Sequence, residues 1–293
     1  MTDPTEFFSP RRRRALAALG LAAAWPWLAR AQQNAGPYVP TPWTIVDEML
    51  KLADVRRSDF VMDLGSGDGR LVITAAERFG ARGFGVDIDP ALVKLATENA
   101  ARAGVADRVR FEERDLFETG LTEATVLTLY LLPHIVTQLV PKVLAEMKAG
   151  ARVVSHDYPL VPWQPDRYLQ FELEEKIEIS GTMRTVLYLY TVPARVGGEW
   201  TLELPPGFGR KSARLTIVQL PVRVSGSAVL GGTRAPLERL VVNGENVSFA
   251  IAGVPLRGQT AQFVGKARGD TIEGVVALPR GEAPWRAVRA GGR

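Results

Sequence analysis

Three glycines fall within five positions in VMDLGSGDGRLVITAA, residues 61–76: Gly65, Gly67 and Gly69, with Ser66 and Asp68 between them and the Asp63 carboxylate two residues ahead. A strand-like run precedes the cluster and a helix-like run follows it. A strand that turns straight into a helix leaves main-chain amides at the helix start, aimed over the sheet edge. Glycines let that backbone approach a ligand closely and adopt angles other residues resist. The spacing is G-x-G-x-G, and Arg70 stands where a dinucleotide-binding turn has its third glycine, which disfavours NAD. An NAD-linked enzyme is therefore only a third reading.

Two more acidic positions repeat the arrangement. Asp87 lies 24 residues after Asp63, in Gly85-Val86-Asp87-Ile88-Asp89-Pro90, and Asp115 lies in Arg114-Asp115-Leu116-Phe117. A carboxylate at the carboxyl end of a neighbouring strand can grip a ribose diol. Asp89, just before Pro90, reads as a helix cap. The elements that must position these groups alternate along the chain. A helix over 43–55 is followed by strand-like DFVMDLG, helical RLVITAAERFG, strand-like GFGVDID, helical PALVKLATENAARAGV, then RVRFEERDL, ATVLTLYLL, a helix around IVTQLVPKVLAEM, and ARVVSHD. Short apolar runs separated by helices of about a dozen residues require a parallel sheet covered on both faces. FELEEKIEI and TVLYLYTVP, separated by a turn at Gly181, read as an antiparallel pair at the sheet edge.

The glycine cluster, the Asp87 and Asp115 segments and the alternating chain together resemble the class I, seven-strand S-adenosylmethionine-dependent methyltransferases over residues 38–192. The resemblance implies an α/β fold with a Rossmann-like seven-strand sheet and S-adenosylmethionine as cofactor. It implies that Gly65, Ser66, Gly67, Asp68 and Gly69 underlie the methionine part, with Asp63 orienting its amino-acid end. Asp87 and the adjacent Ile88 would take the ribose, and Asp115 and Leu116 the adenine. Within that class, Pro37-Tyr38-Val39-Pro40-Thr41-Pro42 and Tyr158-Pro159-Leu160-Val161-Pro162-Trp163 resemble the family of mitochondrial-type protein-lysine N-methyltransferases that act on carrier and ATP synthase c subunits. That resemblance implies that Tyr38, Pro40 and Thr41 fold over the cofactor, and that the acceptor is a protein lysine amine.

Methyl transfer from a sulfonium is an in-line displacement in which the protein aligns the nucleophile and excludes water. An Asp/Asn-Pro-Pro-aromatic after the fourth strand would indicate a nucleobase or glutamine amide, whereas here the chain reads Leu129-Tyr130-Leu131-Leu132-Pro133-His134. Candidate catalytic groups are Tyr130, which can bond or pack beside the nucleophile, and His156 and Asp157 at the end of the fifth strand. An imidazole is the natural near-neutral base. His134 and His156 are the two histidines, and no metal site is expected.

The composition is that of a globular chain: 293 residues, 46% hydrophobic, 23% charged, without cysteine, which excludes disulfides, thiolate nucleophiles and sulfur-bound zinc. The formal charge is +4, but residues 1–32 carry five arginines against two acids, so the remainder is near +1 and gives no footprint for nucleic acid. SPRRRRALAALGLAAAWPWLARAQQ combines an arginine cluster, an apolar stretch from Ala15 to Leu28 and Ala29-Arg30-Ala31 before Gln32. This is the anatomy of a twin-arginine-like signal peptide with a small-x-small cleavage site. The expected organisation is an export signal over 1–31, a linker over 32–42, the methyltransferase domain over 43–193 and an all-β domain over 197–293. The last is a small barrel or sandwich, with Trp200 and Trp285 packing together to close it and Asn243-Gly244 turning a hairpin. It is expected to bind a substrate or an envelope partner, or to serve as a stabilising addition. The expected location is periplasmic or membrane-associated, or cytoplasmic if the signal reading fails. Because S-adenosylmethionine is a cytoplasmic cofactor, two alternatives stay open: a small-molecule methyltransferase, and an inactive methyltransferase fold that binds or assembles envelope proteins.

Overall fold

The computed structural model describes residues 38–293, apart from 178–180, 222, 257–258, 279–280 and 292–293. The segment read as an export signal, 1–31, lies outside the described residues. Seven strands form one sheet: β1 (Phe60–Leu64), β2 (Arg82–Asp87), β3 (Val109–Glu113), β4 (Val126–Leu129), β5 (Arg152–His156), β6 (Arg167–Glu172) and β7 (Arg184–Thr191). Their order is β3-β2-β1-β4-β5-β7-β6. β1 to β5 pair in parallel, and β7 inserts antiparallel between β5 and β6.

Alternation along the strands decides which helix covers which face. Met62, Leu64, Phe84, Val86, Leu127, Leu129 and Val153 pack under α4 (Pro133–Glu146) through Ile135, Val136, Leu139 and Val143. Their neighbours Val61, Val126, Val154 and Leu187 face the other way, onto α1 (Trp43–Leu52) and Leu71 and Ala75 of α2 (Arg70–Phe79). The opposite side of α2 (Val72, Ile73, Ala76) meets Ala100 of α3 (Pro90–Arg102) and Val109. Asp89 caps α3 as its sequence suggests, accepting from Ala91 N at 2.8 Å with Pro90 in the first turn. Because β2 and β4 flank β1, the chain winds in opposite senses from there, and such a switch point opens a crevice at the carboxyl ends of the strands.

FELEEKIEI does not form one strand. β6 spans Arg167–Glu172, and Glu174–Lys176 turns into a 3-10 helix, which buries Lys176.

The C-terminal strands β8 (Gly198–Glu203), β9 (Ser212–Leu220), β10 (Arg223–Leu230), β11 (Thr233–Asn243), β12 (Asn246–Leu256), β13 (Gln259–Arg268), β14 (Thr271–Leu278) and β15 (Gly281–Arg289) form a closed antiparallel barrel in which β15 pairs with β8. Side chains fill it. Phe249 and Phe263 stack with centroids 4.9 Å apart, and Trp285 meets both edge-on at 5.5 and 5.6 Å. Trp200 belongs to the same core, but the ring partners of Trp285 are these phenylalanines. The two indole N–H groups donate to backbone carbonyls: Trp200 to Val196 O, and Trp285 to Val264 O and Val275 O. The hairpin expected at Asn243-Gly244 turns one residue later. Asn243 pairs with Asn246, so the two turn residues are Gly244 and Glu245. This tip rests on the sheet, where Gly244 O accepts from Ala194 N at 2.7 Å and Asn243 Nδ2 donates to Asp166 Oδ1 at 2.7 Å.

Candidate active site

The turn after β1 is held almost entirely by its own backbone. Gly65 N and Ser66 N both donate to Val86 O at 2.9 Å, Gly67 N to Asp87 Oδ2 at 2.9 Å, and Gly69 N to Ser66 O at 2.9 Å. These amides are therefore occupied, whereas the sequence alone suggests amides left open over the sheet edge. Gly65, Gly67 and Gly69 all have positive φ, and a Cβ on Gly67 would overlap the Tyr38 ring. The glycines thus let an aromatic side chain and a ligand lie against bare main chain.

Three carboxylates surround this turn. Asp63, next to last in β1, is almost fully buried, with Oδ1 accepting from Thr128 Oγ1 at 2.7 Å. Burial pushes its pKa up to about 7, and the charges of Asp87 and Asp68 add to the shift. Asp87 turns inward to the loop, accepting from Gly67 N and, at 3.0 Å, from Asp89 N. Asp68 pairs with Arg70 through Nε–Oδ1 at 2.9 Å and a second nitrogen to Oδ2 at 2.6 Å. Ser66 Oγ is buried and without a partner. A turn ringed by carboxylates, its amides occupied, with a buried hydroxyl unpartnered, repels a pyrophosphate and suits a cationic ligand with hydroxyls. S-adenosylmethionine, with its sulfonium, ammonium and ribose diol, fits that description.

The segment before α1 closes over the turn. The Tyr38 ring lies over Gly67, and burial raises its hydroxyl pKa, with the nearby Asp68 charge adding to the shift. Thr41 is buried, its carbonyl accepting from the Arg70 guanidinium at 2.5 Å, while that guanidinium lies 4.7 Å from the Trp43 ring centre. Pro40 lies half-buried between them. Arg70 and Trp43 are members of this group that sequence reasoning missed. Arg70 entered only as the place of a missing glycine. Ile88 follows Asp87 half-buried. Asp115 is exposed in the turn after β3, with Oδ1 accepting from Phe117 N at 2.8 Å, and Leu116 packs on the sheet core. Asp115, Asp87 and Asp63 therefore lie in a row along the carboxyl edge of β3, β2 and β1.

On the other side of the switch point, Tyr130 leaves β4 beside the turn, where its neighbour Leu131 places Cδ2 2.8 Å from where a Gly65 Cβ would be. Tyr130 stacks on His156 with ring centroids 3.9 Å apart, and its hydroxyl lies close enough to Asp157 to feel that charge. Desolvation, then the Asp157 charge, raises the Tyr130 pKa well above the usual phenol range, so the hydroxyl stays protonated. His156 differs from the crevice-facing, near-neutral base the sequence suggests. It is fully buried, its Nε2 lies 2.7 Å from Thr185 Oγ1, and desolvation lowers its pKa to about 4. Thr185 gives its one proton to Asp157 Oδ1 at 2.9 Å, so His156 donates through Nε2–H, leaving Nδ1 buried and unpartnered. Asp157, at φ 63°, is pinned: Lys176 Nζ bonds Oδ2, and Oδ1 also accepts from Val186 N at 3.2 Å. Its pKa is lowered: burial alone would raise it, but His156, Lys176 and these donors outweigh that. Lys176 and Thr185 are the members of this cluster that the sequence reading missed. His134 lies exposed on the first turn of α4, outside it.

Residues 63–167 match the family model of the ANTKMT methyltransferase domain. A protein-lysine N-methyltransferase of Saccharolobus islandicus is 39% identical over 157 residues, 53% of this chain and 93% of that protein. The mouse adenine nucleotide translocase lysine N-methyltransferase is 40% identical over 130 residues, covering 44% of this chain and 56% of its own length. Among solved structures, a Salinibacter ruber protein described as an RNA methyltransferase in complex with S-adenosyl-L-homocysteine is 50% identical, covers 54% of this chain and 96% of that one, and superposes with a TM-score of 0.49. S-adenosylmethionine is the cofactor of this class, and the carboxylates and hydroxyl of the turn fit it. By its sequence along the whole catalytic half, this chain belongs to the protein-lysine N-methyltransferase family of class I S-adenosylmethionine-dependent methyltransferases.

Proposed function

We propose that this methyltransferase transfers the methyl group to the side-chain amine of a protein lysine, with Tyr130 as the residue that receives the acceptor. The observation that carries this reading is the seat beside the glycine turn. A Tyr130 hydroxyl kept protonated by burial and the nearby Asp157 charge offers its oxygen lone pairs to an amine N–H at the mouth of an acid-lined crevice. Such a crevice favours a substrate that arrives as an ammonium. The family relatives named for lysine methylation support the same class. When bound, S-adenosylmethionine supplies an electrophilic methyl carbon: the S–C bond breaks, an N–C bond forms, and S-adenosyl-L-homocysteine and a proton leave. Asp63 and Ser66 would hold its amino-acid end, Asp87 and Ile88 its ribose, and Asp115 and Leu116 its adenine, with Gly65, Gly67, Asp68 and Gly69 beneath and Tyr38, Pro40 and Thr41 above. The carboxylates do the binding, Tyr130 aligns the amine, and Tyr38 excludes water. Because His156 is buried and neutral and Asp157 is held by Lys176, the ammonium proton leaves to solvent before attack.

The test is tritiated-methyl transfer from S-adenosylmethionine into cell fractions, followed by acid hydrolysis. Label in methyl-lysine is expected, with a rate that climbs through pH 7 to 9 and no inflection from an imidazole. Label confined to RNA, the acceptor class named for the Salinibacter protein, or to lipid would overturn the lysine reading. S-adenosyl-L-homocysteine binding without any transfer would favour the envelope-binding alternative. From Arg11–Arg14, Ala15–Leu28 and Ala29-Arg30-Ala31 we further infer export by a route that carries folded proteins, which lets the cofactor be bound before transit. A reporter fusion that remains wholly cytoplasmic would refute export.

A further inference from the structure

The cluster behind Tyr130 contains a buried cation to which the reaction as described gives no task. We propose that Lys176 is a positioning residue for methyl transfer: it fixes the Asp157 carboxylate that orients the Tyr130 hydroxyl toward the acceptor amine. This rests on the lysine reading above and extends it to a residue that touches neither cofactor nor acceptor.

The geometry is specific. Lys176 is brought in by the 3-10 turn after β6, and its ammonium bonds Asp157 Oδ2, Arg184 O at 2.9 Å and Thr185 Oγ1 at 3.0 Å. Thr185 passes the constraint on: its hydroxyl donates to Asp157 Oδ1 at 2.9 Å and accepts from His156, whose ring is the platform under Tyr130. Asp157 sits at φ 63°, in the left-handed region where an Asp is tolerated but not favoured, so its direction is set by these partners. One contact therefore supports the Tyr130 ring, the His156 ring stacked beneath it, and the Asp157 carboxylate neighbours both. Lys176 bonds Asp157 directly and reaches His156 through Thr185. The groups facing Asp157 are His156 from β5, Tyr130 from the end of β4, Lys176 from the turn, and Thr185 and Val186 from β7, with Tyr158 beside Tyr130. Lys176 and His156 are the basic ones. Without Lys176, the buried carboxylate loses its counter-charge and takes up a proton at a higher pH.

The experiment compares full-length wild type with Lys176→Met, Lys176→Arg, the Lys176→Met/Asp157→Asn pair and Tyr130→Phe. Carbon-13 tyrosine NMR follows Tyr130, its resonance assigned by its loss in Tyr130→Phe. In wild type the resonance is flat between pH 5.5 and 8. In Lys176→Met it titrates with Asp157, and kcat gains an acid limb, falling about a hundredfold at its low end, while KM for S-adenosylmethionine is unchanged. Lys176→Arg keeps the flat resonance. The double variant leaves no lone buried charge, so it folds, and it shows low kcat at every pH with wild-type S-adenosyl-L-homocysteine affinity. A flat Tyr130 resonance in folded Lys176→Met, or wild-type kcat in the double variant, would overturn the proposal. If wild type methylates no protein amine, the lysine reading fails by itself, and the resonance still decides whether Lys176 governs Tyr130.

Discussion

At the carboxyl edge of the sheet the strands run out into Asp63, Asp87, Asp115, Tyr130 and Asp157, while at the opposite edge the start of β5, the start of β6 and the end of β7 meet the barrel. The two edges are built on different terms. Two of the three buried side-chain polar atoms without a partner among the described residues, Ser66 Oγ and His156 Nδ1, lie at the first edge. The third, Arg152 Nε, belongs to a guanidinium that otherwise bonds Asp59. In the barrel the polar atoms that go inside find backbone: Trp200 and Trp285 donate to carbonyls, and Gln219 bridges Val196 N, Gly197 N and Ala194 O. Charge divides the same way. Residues 33–196 hold eighteen basic and twenty-three acidic side chains, net −5, whereas 197–293 hold thirteen and seven, net +6. Unmet hydrogen-bonding capacity thus collects at the edge where a cationic ligand fits, in the part of the chain that carries the net negative charge. Among the described residues, the hydrogen bonds that join the barrel to the sheet lie at the edge opposite the crevice.

That separation is most severely tested by removing the centre of the barrel core. Trp285→Ala empties the ring set with Phe249 and Phe263 and leaves Val264 O and Val275 O without their donor, and should destabilise the barrel by about 3–5 kcal/mol. S-adenosyl-L-homocysteine affinity, measured by calorimetry, should stay within about twofold, as expected for sites without shared partners. A parallel collapse of cofactor binding would show that the two edges are one unit.

The next largest effect is at Asp63. Its folded pKa, about 7, lies above the ordinary 3.8, so the folded protein binds a proton that the unfolded chain releases. The stability this gives is fully present below about pH 4 and is lost as pH rises through 7. Asp63→Asn should abolish that slope and raise stability at pH 8 by an amount on the order of 3 kcal/mol, by denaturant titration. The same substitution should weaken S-adenosylmethionine binding, because a bound ammonium favours the ionised carboxylate. In wild type the affinity should accordingly increase between pH 6 and 8. A variant that is no more stable at pH 8 and binds as before would remove Asp63 from the site.

Asp87→Ala should cost about 1–3 kcal/mol in S-adenosyl-L-homocysteine affinity if two ribose hydrogen bonds are lost, and an unchanged affinity would refute the ribose role. Asp87 and Asp63 were legible in the sequence because each stands at or next to the end of a short apolar strand, close to a glycine, and that local signal survives in one dimension. The seven-strand order was legible for the same reason, through the alternation of short runs and helices. Lys176 was not. It sits in FELEEKIEI, whose pattern is that of a strand, and its burial depends on β7 inserting between β5 and β6, a pairing across distant segments. The base role expected of His156 failed on burial, which a residue's type does not report. Arg70 was visible but read only as a departure from a dinucleotide pattern, because its partner Thr41 lies 29 positions away. At the hairpin tip the Asn-Gly pair was visible too, yet a register shift between Glu238 and Val241 accompanies a turn made by Gly244 and Glu245.

The smallest expected effect concerns how the barrel is attached. Asn243 Nδ2 donates to Asp166 Oδ1 at 2.7 Å across an exposed seam, and the other oxygen of Asp166 accepts from Thr191 N at 2.6 Å. Removing the amide leaves a carboxylate that water and Thr191 still satisfy, so Asn243→Ala should cost less than about 1 kcal/mol. The Ala194 N to Gly244 O bond and the packing of Ala149 on the barrel core remain to hold the seam. Thermal unfolding should shift slightly, with kcat and cofactor affinity unchanged. A change in kcat from this variant would mean that the attachment edge reaches the crevice through the sheet. The path to examine would be β7, because Thr191 and Thr185 are two positions on that one strand.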